Sequence, residues 1–335
     1  MKDAKFSIPF NWYNCIQGYL TRITSMKIKK VLLLIDGSYL NFMCNFRAFK
    51  AWQQQYQMID TCTILPPEES DQDNLPDIVN ESQWFKKCLY NASVDKLNGI
   101  ATTMENGTGL IYPNSNLIDT VICKDSRLTK SFRYSLYPEY KLTRKLQRSK
   151  RGQYRIGPVF DELYTNVFPS IFDKHTMQLV VDGAEGDDVI ASLARSQRIG
   201  EEYEKIILIS SDRDFLQLQI DRPVTQYDGN GELVVPKIKR GSEVINITPQ
   251  QALMIKIISG DSSDNIKPIR QKVGEIRAYK YITESQDAFK KLLHEDPETS
   301  QRFILNSKLI DFRNIPEELS KSVVDEFYRL RTWSN

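Results

Sequence analysis

The stretch AEGDDVIA (184–191) places Glu185, Asp187 and Asp188 at the start of an apolar helical pattern. Acids in the first turn of a helix gain ~0.3–1 kcal/mol each from its dipole, which accounts for one or two of the three. It does not account for acids in similar places elsewhere. Asp36 closes the apolar run VLLLID, Asp125 follows LIDTVICK, and Asp212 and Asp214 close EKIILISSDRD. SGDSSDNI (259–266) adds Asp261 and Asp264 at a helix-to-loop boundary, where either acid alone reads equally well as a cap or Asx-turn. Two carboxylates about 4 Å apart repel by ~4 kcal/mol at an effective dielectric of about 20. A cluster of them persists when protons or cations neutralise it. Oxygen-only ligands select hard ions such as Mg²⁺ or Mn²⁺. Two such ions clamp the attacking and leaving oxygens of a phosphodiester displacement.

A second constellation is cationic. Residues 124–155 carry eleven Lys/Arg against Asp125 and Glu139, a net charge of +9 in 32 residues. Phe132, Tyr134, Tyr137, Tyr140 and Tyr154 interleave with these charges. Phosphates pair with such cations and bases stack on such rings, so the segment suits single-stranded nucleic acid; the bland alternative is a solvated basic helix face. Its field would draw polyanions toward the carboxylates.

The elements that position these groups are legible as alternating patterns. VLLLID (31–36), LIDTVICKD (117–125), QLVVDGA (178–184) and EKIILISSDRD (204–214) read as buried strands, with helical patterns at 39–58 and over SQWFKKCLYNASVDKLNGIA. VTQYDGNGELVVP reads as a hairpin, and the pattern from about 248 onward is helical. This alternation predicts an α/β fold with a mainly parallel central sheet flanked by helices. In such sheets ligands bind outside the carboxyl ends of the strands, so the acids at the strand ends are expected to converge on one edge. Residues 60–82 read as an acidic, proline-bearing surface loop, and residues 1–29 as a short amphipathic extension.

Bulk properties narrow the class. The 335 residues are 41% hydrophobic with a net charge of +2, so overall charge does not choose a partner. Five widely spaced cysteines without a CxxC argue against a zinc ribbon or disulfide framework and fit a reducing compartment. Only His175 and His294 are available as histidines, which excludes a His-rich metal site. No window approaches the ~20 apolar residues of a membrane span.

The motifs LLIDGS, D-x₇-R followed by YPEYKLTR, EGDDVIA, ISSDRDFLQL and SGDSSDNI, in this order, resemble the flap endonuclease and 5′-exonuclease superfamily. Within it they are most similar to the ribonuclease H group of T-even phages. The resemblance covers roughly residues 30–330. It implies a 5′-nuclease, PIN-like fold with a helical arch at about 124–155. The expected organisation is an N-terminal extension (1–29), an α/β nuclease domain (30–247) and a C-terminal helical DNA-binding region (248–335). It implies two Mg²⁺ or Mn²⁺ ions. Asp36, Asp125, Asp187 and Asp212 would serve the first, with Glu185 and Asp188 close by, and Asp214, Asp261 and Asp264 the second. Arg133, Lys141 and Arg144 fall at cationic positions of the arch. On physical grounds Lys141 and Arg133 are expected to hold the scissile phosphate and offset its transition-state charge, with Asp187 central to the chemistry.

Nucleic-acid contacts are expected from Lys130, Arg133, Tyr137, Tyr140, Lys141, Arg144, Lys145 and Arg148 on the arch, and from Lys267, Arg270 and Lys272 beyond it. Many relatives follow the SDNI-type motif with a glycine-rich helix–three-turn–helix that grips duplex with K⁺; DNIKPIRQKVGEIRAYKYI lacks that glycine pattern. The implied activity is Mg²⁺-dependent 5′→3′ exonuclease and flap-endonuclease cleavage of DNA and RNA–DNA hybrids, removing RNA primers during lagging-strand replication. A monomer in the cytoplasm is expected, acting with a single-strand-binding protein or sliding clamp. The rival readings are a PIN-like single-strand ribonuclease and a non-catalytic branched-DNA-binding factor. PIN domains are shorter and usually lack the arch, and a binding factor would have lost key acids.

Overall fold

The computed structural model describes residues 30–59, 77–108, 118–126, 131–142, 155–172 and 176–333. The expected N-terminal extension, most of the acidic loop and the middle of the arch, with Lys130, Arg144, Lys145 and Arg148, lie outside the described residues.

Five strands form the central sheet: β1 (Lys30–Asp36), β2 (Ile118–Cys123), β3 (Thr176–Leu179), β4 (Tyr203–Ile209) and β5 (Val224–Tyr227). Their spatial order is β3-β2-β1-β4-β5, and every pairing is parallel. Asp36 pairs with Cys123 and Ile35 with Ile209, so the carboxyl ends of the three central strands lie level.

The apolar runs follow from burial on both faces. Leu32, Leu34, Val121 and Leu208 pack on one side with helix α7 (Gly186–Arg195). Ile35, Ile122, Ile207 and Ile209 pack on the other with α1 (Gly37–Ile59) and α3 (Gln83–Thr108), which follows the one-turn α2 (Ile78–Glu81). Gly37 lets α1 start directly against β2. A Cβ there would sit 2.6 Å from the Cys123 carbonyl oxygen and from the Tyr164 hydroxyl.

Three short helices lie near the arch: α4 (Phe132–Leu136), then α5 (Ile156–Glu162), which passes through a π-turn into α6 (Phe168–Ile171). Between α7 and β4 lies α8 (Gln197–Glu202). The C-terminal part comprises α9 (Pro249–Ser259), α10 (Glu275–Thr283), α11 (Gln286–Glu295), α12 (Pro297–Ile310) and α13 (Glu317–Trp333). Helices α9 to α11 share an apolar cluster with a two-stranded hairpin, β6 (Lys237–Arg240) and β7 (Glu243–Asn246), through Ile238, Ile247, Ile258 and Phe289. Helix α13 instead returns to the sheet, and Val323 and Phe327 join the core around α7.

Several expected boundaries move for local reasons. The third strand ends at Leu179, because Asp182-Gly183 turns the chain with Gly183 at φ 83°. The expected 224–236 hairpin reduces to one bridge, Tyr227 to Leu233, closed by Asp228 accepting from the Asn230 and Glu232 amides. The real hairpin lies just beyond, where KIKR turns at Gly241 (φ 63°). Cys44, Cys88 and Cys123 are buried free thiols. Among the described residues no helix is long and apolar enough to cross a membrane.

Phe327 is 1% exposed and meets the Tyr203 ring edge-on at 6.3 Å. Phe327→Ala is expected to lower stability by about 3–5 kcal/mol in urea denaturation; a cost below about 1 kcal/mol would detach α13 from the sheet's core.

Candidate active site

The parallel sheet gathers the predicted acids at its carboxyl edge. Asp36 is the last residue of β1; Asp125 and Asp212 lie two and three residues past β2 and β4; Asp187 is the second residue of α7. Three of these carboxylates are aimed by a neighbour. Asp36 accepts from the Tyr39 amide (3.0 Å) and the Ser210 hydroxyl (2.8 Å). Asp125 accepts from Ser38 Oγ (2.6 Å) and the Gly186 amide (2.7 Å). Asp212 caps the following 3₁₀ turn by accepting from the Asp214 amide at 2.9 Å.

Burial pushes the Asp36 carboxyl up from 3.8 to about 6, with the Asp125 and Asp212 charges adding to it against its hydrogen bonds. Asp187 is raised well above the ordinary range by burial and then by Asp212, Asp36 and Asp125, while the Lys141 ammonium pulls it back. These four residues therefore sense one another electrostatically, as expected of one group of acids.

The three acids of AEGDDVIA divide their work. Asp187 joins that group. Asp188 turns inward: its Oδ2 accepts from the Glu185 amide (3.0 Å) and Arg133 Nη1 (2.9 Å), and its Oδ1 pairs with Arg133 Nη2 at 2.8 Å. Glu185 Oε2 receives Tyr140 Oη (2.9 Å), Lys141 Nζ (3.1 Å) and Arg133 Nη1 (3.4 Å). Its buried Oε1 has no hydrogen-bond partner among the described residues. The helix-start explanation thus holds for Asp188, and the electrostatic one for Asp187.

The base of the arch differs from expectation. Arg133 is 3% exposed, and its Nε also donates to the Leu309 carbonyl at 2.9 Å. Every guanidinium nitrogen is committed to protein, so in this arrangement Arg133 braces Asp188 and Glu185 rather than reaching for a phosphate. Tyr137 and Tyr140 are buried in a cluster with Leu253, Ile257 and Leu309, so their rings are not open faces for stacking bases. Tyr137 Oη donates to the Asn265 carbonyl (3.1 Å). Lys141 is 8% exposed with a left-handed backbone (φ 55°), its amide donating to the Asp264 carbonyl at 2.9 Å. The sequence pattern marks cationic and aromatic types but not which of them the C-terminal helices cover.

The second predicted group is Asp214, Asp261 and Asp264. Asp264 accepts from Tyr140 Oη at 3.2 Å. Asp214 and Asp261 are bridged by Lys256, whose Nζ lies against Asp214 Oδ1 and 2.8 Å from Asp261 Oδ2. Burial lifts Asp214 to about 6 despite that ammonium. Sequence reasoning passed over Lys256, although it is the single charge in the apolar run LMIKII of α9. Beyond the loop, Lys267, Arg270 and Lys272 are exposed between α9 and α10, with Lys272 at φ 63°.

Oxygen-only donors and mutual repulsion suit a hard divalent ion at the first group. Asp214 and Asp261 do not fit one as they stand, because an ammonium already lies between them. Among the described residues no three His, Cys, Asp or Glu side chains enclose a single ion-sized point.

Known proteins share this architecture. The family model for the 5′-3′ exonuclease N-terminal, resolvase-like domain matches residues 85–252, and the chain belongs to that family. The 5′-3′ exonuclease of Buchnera aphidicola is 29% identical over 211 residues, 60% of this chain and 68% of that protein. DNA polymerase I of Treponema pallidum is 31% identical over 144 residues, 43% of this chain and 13% of the polymerase. Ribonuclease H of phage T4 is 30% identical over 164 residues, 44% of this chain and 49% of that enzyme. The chain thus spans a small part of the polymerase and about half of the phage enzyme. Among solved structures, the T5 D15 protein co-crystallized with metal ions matches with a TM-score of 0.53 at 17% identity, covering 90% of this chain and 99% of its own. T5 5′-exonuclease with bound zinc matches at 0.52 and 16%, covering 90% and 100%. At these identities the likeness establishes the fold.

Arg133→Met leaves Asp188 buried without its partner and is expected to cost about 3–5 kcal/mol of stability. Chemical denaturation checks this; unchanged stability with lost nuclease turnover would restore Arg133 to a phosphate-holding role. The Asp36 carboxyl gives a pH signature. Between 3.8 and about 6 the folded protein holds a proton that the unfolded chain has released. Its contribution therefore favours folding at low pH and is lost as pH rises through that window. Thermal melts of metal-free protein at pH 4.5 and 7 are expected to show a smaller acid-side advantage in Asp36→Asn than in wild type. An equal advantage in both would contradict the shift.

Proposed function

We propose that the chain is a divalent-metal-dependent 5′-nuclease, acting as 5′→3′ exonuclease and flap endonuclease on duplex DNA and RNA–DNA hybrids. The observation that carries this reading is the sheet edge that gathers Asp36, Asp125, Asp187 and Asp212, where the Lys141 ammonium acts on Asp187. Membership of the 5′-3′ exonuclease family supports it. So do the names of relatives, which include a flap endonuclease from Psychromonas ingrahamii and the phage T4 ribonuclease H. Removal of RNA primers during lagging-strand replication is the role that joins these activities. A sliding clamp or single-strand-binding protein would be its companion, and the chain would act as a monomer.

In this reading Asp36, Asp125, Asp187 and Asp212 hold a Mg²⁺ or Mn²⁺ ion, and Asp214, Asp261 and Asp264 serve a second. Bound there, such ions supply Lewis acidity to the scissile phosphodiester and to the attacking water. The protein's own residues do the rest. Ser38, Ser210 and the Gly186 amide fix the carboxylate orientations. Glu185, held by Tyr140, sets the position of Lys141, whose ammonium offsets charge developing on the phosphate. Lys267, Arg270 and Lys272 in the C-terminal helical region grip the backbone of the duplex.

Cleavage of a labelled 5′-flap substrate with and without Mg²⁺ tests this function. Turnover is expected only with the ion, and Asp187→Asn is expected to lose at least about 100-fold, as when a group acting in the transition state is removed. Folded wild-type protein that cleaves no flap, hybrid or duplex substrate would refute the reading. Preference for plain single-stranded RNA would move it to the PIN-like ribonucleases.

A further inference from the structure

We infer that Lys256 is the resident counter-cation of Asp214 and Asp261, and that a second divalent ion enters only by displacing it. The inference rests on the metal-dependent reading above and concerns which cation occupies this place.

The geometry is built in. Lys256 occupies the last turn of α9, where the helix dipole favours a cation. The Gly260 amide donates to the Lys256 carbonyl at 2.8 Å and closes that turn. Gly260 then adopts φ 73°, and a Cβ there would lie 2.4 Å from the Ile266 carbonyl oxygen. Asp261 and Ile266 exchange backbone hydrogen bonds at 2.8 and 2.7 Å. The loop carrying Asp261 is thereby folded against the end of the helix carrying Lys256, and the ammonium reaches Asp261 at 2.8 Å. Asp214 meets the same nitrogen from the 3₁₀ turn after β4.

An ammonium bridging two carboxylates takes the volume that a small oxygen-ligated ion needs. It neutralises one of the two charges, and a divalent ion neutralises both. The two cations therefore compete for one place, and the ion must overcome the lysine's attraction before it binds. Among the described residues no ammonium bridges Asp36 and Asp125 in this way; these two accept from hydroxyl and amide groups instead. The two acidic groups are consequently unequal: the first admits an ion directly, the second by exchange.

Mn²⁺ uptake by full-length wild type, Lys256→Met and Lys256→Arg tests the exchange, read by calorimetry and by the paramagnetic resonance of free Mn²⁺. Wild type and Lys256→Arg are expected to bind one ion well and a second more weakly. Lys256→Met is expected to bind the second about tenfold tighter or more, the scale of coupling between ligands that exclude each other. Melting in EDTA gives an independent readout. Lys256→Met is expected to melt below wild type and to recover when Mn²⁺ is added, because two carboxylates then lack a cation until one is supplied.

Equal second-site affinity in wild type and Lys256→Met would overturn the inference, as would two equally tight ions in wild type. If no variant binds Mn²⁺, the metal-dependent reading falls by itself. The EDTA melts then decide on Lys256, and a Lys256→Met protein as stable as wild type ends its assignment as counter-cation.

Discussion

Mutual repulsion among carboxylates at one edge of the sheet is the constraint around which the rest of this structure is arranged. The parallel topology makes the crowding unavoidable, since level strand ends deliver Asp36, Asp125 and Asp212 to the same rim and α7 adds Asp187. The fold answers in three ways. Hydroxyls and amides aim individual oxygens, burial and neighbouring charge push the Asp36 and Asp187 carboxyls above the ordinary aspartate range, and cations from other parts of the chain lean in. Arg133, Lys141 and Lys256 all serve the last purpose, each fixed by a different element.

This arrangement explains why the C-terminal helices are part of the site's support. The Leu309 carbonyl at the end of α12 receives Arg133, which then braces Asp188 and Glu185 at the start of α7. Asn265 clasps the base of the arch by donating to the Glu139 carbonyl at 2.8 Å and accepting from Tyr137. Helix α13 closes the far side of the same core through Phe327.

Much of this was legible in the sequence because the informative signals are local. Apolar runs ending in aspartate identified the sheet and its functional edge, and the order of the acidic motifs pointed to the nuclease family. What was not legible depends on tertiary cover. Tyr137, Tyr140, Arg133 and Lys141 read as an exposed cationic and aromatic surface, yet Leu253, Ile257 and Leu309 bury the tyrosines and buried carboxylates claim the cations. The hairpin of β6 and β7 was hidden because KIKR offers only one apolar position, Ile238, in four. Lys256 was hidden by its apolar neighbours, since a lone lysine in a buried-looking helix gives no hint of the distant acids it will meet.

The central claim is that the four aspartates at the sheet edge share one cation. Anomalous scattering from crystals soaked in Mn²⁺ measures this directly. The account predicts a peak within bonding distance of Asp187 and at least one of Asp36, Asp125 and Asp212, with the carboxylates turned from their present hydroxyl and amide partners toward it. Peaks confined to other surfaces, or no peak while the four side chains keep their present contacts, would contradict it.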